Sequence, residues 1–215
     1  MIYAYDRVYV DKARTNLGRM LDFAVYDLKY DITDFFELFL NSGVATRFED
    51  GDFEVLVGMS GVELAYEVLE QSEIECRHIK PNYVINRSEE FWTGWALAYY
   101  QWITAMRFSE IVRWIPIKDI RNLYSPYHEM DIRQFVDKMN MLYKTAKPET
   151  NLKYMRNKAG LSQSELAELS GISIRTLQQY EQRQKNINNA KAETLVILAK
   201  VLCCGVEELI EHVEV

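Results

Sequence analysis

The side chains best suited to chemistry sit in one short segment. Ser173-Ile174-Arg175-Thr176-Leu177-Gln178-Gln179-Tyr180-Glu181-Gln182 reads as a helix with a serine cap. Arg175 and Gln179 are four residues apart, so they project from one face of it. A guanidinium can bond O6 and N7 of guanine, a carboxamide can pair with N6 and N7 of adenine, and an exposed Ile174 can touch a thymine methyl. The chemistry offered is recognition of base edges, not bond making. Thr176, Arg183, Lys185 and Asn186 are candidates for sugar–phosphate contacts, which orient a protein without reading sequence, and Ser173 and Gln182 at the two ends of the helix are further candidates for contact with DNA. Leu177 and Tyr180 face the core in this register, and Gln178 points away from the groove.

Other constellations promise less. Cys76 and His78, with a distant His128, lack a fourth ligand at finger or ribbon spacing, so no metal is expected. Cys203 and Cys204, adjacent at a helix end, read as small core residues. Three cysteines make no disulfide framework and suit a reducing cytoplasm. Acidic residues abound, but none comes paired with a positioned His or Lys. There is no phosphate-cradling glycine loop and no nucleophile elbow, so neither catalysis nor a cofactor is expected. The aromatic run Trp92, Trp95, Tyr99, Tyr100, Trp102, with Trp114 nearby, reads as a helical core before it reads as a ligand box.

The elements that position the reading helix are equally legible. Leu152 to Ala159 is a short helix ended by Gly160. Ser162 and Glu165 form a capping box for a second helix with Leu166, Ala167 and Leu169 inward. Ser170-Gly171-Ile172 is a tight turn, with glycine where a left-handed residue is needed. Asn188-Asn189 is read as the cap of a fourth helix that closes the core with Leu195, Leu198, Ala199 and Leu202, leaving Ile197 and Val201 surplus. Two capped helices joined by a three-residue turn are the mark of a helix-turn-helix.

Leu161-Ser162-Gln163-Ser164-Glu165-Leu166-Ala167, then Gly171-Ile172-Ser173 and Tyr180-Glu181, resemble the Cro/C1-type phage-repressor family, also called Xre-type regulators. The resemblance covers about 60 of 215 residues. It implies a five-helix domain, operator double-stranded DNA as partner, a homodimer, and a phosphate contact from Gln163. It also implies a buried ion pair between Arg156 of the first helix and Glu181 of the third. In one respect the chain departs from the family: Arg183 stands where a glycine usually follows the third helix, so that end needs another cap, with the chain running on through Gln184 and Lys185.

Composition places this module on a different body. Residues 1–150 carry 17 Lys and Arg against 24 Asp and Glu, whereas residues 151–205 carry 8 against 4. The whole-chain charge of −7 therefore hides a mildly basic module on an acidic one. Amphipathic periods predict helices over 11–29, 35–40, 60–71, 88–102, 109–114, 117–123 and 125–143, with 53–57 as a short strand. Pro148 marks a polar boundary at residues 144–150. No apolar run nears the roughly 20 residues of a membrane span, and no secretion signal opens the chain.

The expected fold is all-α: a helical sensor, dimerisation or partner-binding domain over 1–145, then the helix-turn-helix domain over 150–215. The first part also resembles helical domains that precede such modules in gut-type bacteria, beside small toxin-like genes. That resemblance implies an alternative role as an antitoxin whose first domain binds a cognate toxin and whose DNA binding serves autoregulation.

Overall fold

The computed structural model describes residues 3–82, 87–147 and 149–211. It is all-helical, without a strand among the described residues. The chain divides into two units, Met1–Tyr143 and Lys144–Val215.

In the first unit α1 (Val10–Tyr26) is followed by α2 (Ile32–Asn41), α3 (Val44–Glu49) and α4 (Gly61–Gln71). Then come α5 (Glu89–Thr104), α6 (Phe108–Trp114), α7 (Ile117–Asn122), α8 (Tyr124–Tyr127) and α9 (Ile132–Ala146). Side chains cap α2, α4 and α5: Asp31 accepts from Thr33 N, Ser60 forms a reciprocal box with Glu63, and Ser88 accepts from Phe91 N. α1 and α5 form the central pair, and glycines let their backbones meet. A Cβ on Gly94 would lie 2.5 Å from Leu17 O and 2.9 Å from Gly18 Cα. Around them, Phe36, Phe39, Phe48 and Phe108 interlock, with centroids 5.5 Å apart for Phe39–Phe108 and 5.7 Å for Phe48–Phe108. Of the aromatic run, Trp92, Tyr100 and Trp102 are buried, while Trp95, Tyr99 and Trp114 are half-buried.

Several expectations for this unit are corrected. Residues 54–58 form one π-helical turn instead of a strand: Val55 and Leu56 are both fully buried, and adjacent buried residues cannot alternate across a strand. The helix expected over 125–143 is two, α8 and α9, because the Asp131 carboxylate accepts from Arg133 N at 2.9 Å and starts a new one. α9 runs on through Ala146, so residues 144–146 are helical, and Lys147 is buried; Pro148 lies outside the described residues.

The second unit consists of α10 (Asn151–Lys158), α11 (Gln163–Ser170), α12 (Ile174–Glu181) and α13 (Ala192–Val201). Single 3-10 turns at Ile187–Asn189 and Glu207–Leu209 complete it, the latter standing where a fifth helix is expected. Leu152, Met155, Leu166, Leu177, Ile187, Leu195, Leu198, Leu202 and Leu209 make its core. Asn188 and Asn189 lie within a 3-10 turn and do not cap α13, which begins after Lys191 without a side-chain cap. Leu169 is 61% exposed, not inward. Leu166 and Ser170, one turn apart, set the buried face of α11, and Leu169 lies off it. Val201 packs against the core, whereas Ile197 is half-buried. Of the two C-terminal cysteines only Cys204 touches the core; Cys203 is exposed.

Among the described residues no helix is long and apolar enough to cross a membrane, and no cluster of His, Cys, Asp or Glu is arranged to hold a metal.

Candidate nucleic-acid interface

α12 is fixed from below before it can offer anything above. Leu177 and Glu181, one turn apart, are the buried residues of α12. Glu181 would be an expensive residue to bury alone. Its carboxylate accepts from Arg156 Nε at 2.6 Å and Arg156 Nη2 at 3.0 Å, and from Gln163 Nε2 at 2.7 Å. The remaining Arg156 nitrogen, Nη1, donates to Leu161 O at 2.7 Å. This two-pronged bond ties α10 to α12, and the Glu181 carboxylate pushes the Arg156 pKa above its usual value despite the opposing effect of burial. Gln163 adds α11 to the same knot, and Gln178 Nε2 donates to Gln163 Oε1 at 3.4 Å.

With the inward face so defined, the 100° step of a helix places Arg175, Gln179 and Gln182 on the opposite side. Arg175 and Gln182 are exposed, Gln179 is half-buried, and Ile174 is 41% exposed at the start of the helix. Among the described residues Arg175 and Lys185 have no carboxylate partner, so both cations face solvent unpaired. Gln178 flanks this row on the α11 side. Residues 162–182 thus present two helices and a tight turn, with Gly171 at φ +68 supplying the left-handed residue of the turn. Residues 152–209 match a family model described as helix-turn-helix. This match spans about a quarter of the chain and makes the second unit a helix-turn-helix domain of the DNA-binding regulatory kind. No curated protein and no solved structure matches the chain.

The flanking residues divide in a way the sequence does not reveal. Ser173 Oγ accepts from Thr176 N at 3.2 Å and lies 2.8 Å from Thr176 Oγ1, so the two hydroxyls cap the helix and engage each other. The Gln163 side chain is used inside the domain. What α11 offers an anion is therefore its first backbone amides, those of Gln163 and Ser164, since the capping box already occupies those of Ser162 and Glu165. Gln182 Oε1 accepts from Gln184 Nε2 at 2.9 Å.

The end of α12 corrects the expectation that the chain runs on. The helix stops at Glu181, and Arg183 itself adopts the left-handed conformation at φ +56. Arg183 N donates to Tyr180 O at 3.1 Å, and Lys185 N to Gln179 O at 3.0 Å, so the last carbonyls of the helix are satisfied as they would be with glycine. The guanidinium of Arg183 reaches Lys147 O at 3.2 Å. A non-glycine residue in this conformation carries a cost of roughly 1 kcal/mol, and the side chain gains an anchor in return.

Proposed function

We propose that this chain is a sequence-specific regulator that binds double-stranded DNA by laying α12 in the major groove, in the manner of a repressor. The observation that carries the reading is the outward row Arg175, Gln179 and Gln182, supported from behind by the Arg156–Glu181 pair. Arg175 takes a guanine edge, Gln179 an adenine edge, and Ile174 a thymine methyl. Thr176, Arg183 and Lys185, with the first amides of α11, contact the phosphates, and Ser173 and Gln182 meet the DNA at the two ends of α12. The first unit, over about residues 1–145, holds two copies together or senses a partner. In a dimer the half-sites lie about one helical turn apart. Selection of bound duplexes from a random pool with the full-length protein tests this: one enriched motif is expected, and its absence contradicts the reading.

A second reading, a toxin-neutralising antitoxin that binds DNA for autoregulation, is favoured by the charge of the body, 24 acidic against 17 basic side chains over residues 1–150. A small toxin gene beside this one, whose product forms a complex with residues 1–145, supports it. A lone regulator gene favours repression.

A further inference from the structure

The first unit contains a hollow of about 220 Å³ between α5 and the α8 turn, lined by Arg87, Phe91, Trp92, Trp95, Tyr124 and His128. Its walls are rings, and the rings are held. Trp92 meets Tyr124 edge-on with centroids 5.7 Å apart, and Tyr124 stacks on His128 at 4.0 Å. Behind Trp92, the fully buried Phe135 makes another edge contact at 5.3 Å. The Nδ1–H of His128 donates to Tyr124 O at 2.9 Å, which fixes the ring. A cavity of about 150 Å³ with apolar walls is enough to take benzene. The hollow here has room for one six-membered ring and a short substituent.

The rim decides the charge of that substituent. The Arg87 guanidinium sits 4.6 Å above the Phe91 ring, and no carboxylate pairs with it among the described residues. Three other arginines of this unit are neutralised: Arg47 by Asp52 and Glu54, Arg107 by Glu49 and Asp50, and Arg121 by Glu89 and Glu90. Glu129 stands 3.5 Å from His128 Nε2 and repels an anion at that end of the hollow, which leaves the Arg87 end for it. A cationic ligand would meet Arg87 head-on, and a neutral one would leave its charge unused.

We propose that this hollow binds a small aromatic carboxylate, its ring against Trp92, Trp95 and Tyr124 and its carboxylate on the guanidinium of Arg87. Arg87 suits the role because its planar fork matches both carboxylate oxygens while the guanidinium is held over the Phe91 ring.

Benzoate, benzamide and benzylamine share one ring and differ in charge, so titrating the full-length protein with each, read by tryptophan fluorescence, tests the proposal. Benzoate is expected to give a saturable change, with benzamide at least tenfold weaker and benzylamine weaker still. Arg87→Gln, at an exposed position, should bring benzoate down to the level of benzamide while leaving benzamide binding and the melting temperature unchanged. No saturable change with any of the three overturns the proposal, as does equal affinity for benzoate and benzamide. Preferential binding of benzylamine overturns it in favour of a cation cage. Discrimination that survives Arg87→Gln removes Arg87 from the site and overturns it too.

Discussion

Replacing Glu181 with alanine should destabilise the second unit without touching the outward row of α12. The side chain of Glu181 is 2% exposed and that of Arg156 10%. Alanine removes both bonds to Arg156 and the one from Gln163, and leaves a largely buried guanidinium with Leu161 O as its remaining hydrogen-bond partner. Breaking a buried pair from one side costs about 3–5 kcal/mol. A domain of this size has a total stability of only roughly 3–10 kcal/mol, at about 0.05–0.15 kcal/mol per residue. Since 1 kcal/mol moves the midpoint of a small domain by about 4–8 °C, the expected fall exceeds ~12 °C. Thermal and urea unfolding of the full-length protein by circular dichroism, with hydrogen exchange to assign the transition to α10–α12, measures it. The double variant Arg156→Met, Glu181→Leu should recover most of the loss, because a pair of apolar side chains strands no charge. If Glu181→Ala melts within a degree or two of the parent, the knot does not hold α12 and the reasoning fails.

Three further outcomes are expected. Arg175→Ala should cost about 1–3 kcal/mol of specific binding and relax one position per half-site, as should Gln179→Ala, whereas Gln178→Ala should leave base preference unchanged; alanine variants read on randomised duplexes check the rotational setting of α12. Arg183→Val should destabilise the second unit more than Arg183→Gly does, because both lose the anchor to Lys147 O but only glycine takes the positive φ without strain; chemical denaturation ranks the two. Gly94→Ala should destabilise the first unit by about 1–3 kcal/mol or more, since the added methyl meets the Leu17 and Gly18 backbone, and its melting transition should shift while the second unit's does not.

The start of α11 was legible because it is local: Ser162 with glutamate three residues on forms the capping box that its spacing implies. The π-turn at 54–58 was not, since a short apolar run carries no period of its own and tertiary burial of Val55 and Leu56 chose the winding. Leu169 was misread because hydrophobicity alone pointed it inward, while the inward face of α11 is set by Leu166 and by Ser170, whose hydroxyl donates to Leu166 O at 2.6 Å. In the candidate site, the outward row follows from the helical step once Leu177 is placed in the core. The commitment of Gln163 to Glu181 and the left-handed Arg183 depend on contacts between helices, which residue spacing does not encode. The hollow beside Trp95 has the same origin: the aromatic run is visible in sequence, but Tyr124 and His128 join it only through folding.

Recognition of DNA by α12 is tested by equilibrium binding of the full-length protein to its selected duplex across a salt series. With about six phosphate contacts per dimer, the log–log slope should be near −5, and Arg175→Ala should weaken the selected duplex toward the level of a scrambled one without flattening that slope. A flat salt response, with selected and scrambled duplexes bound alike, would contradict the account.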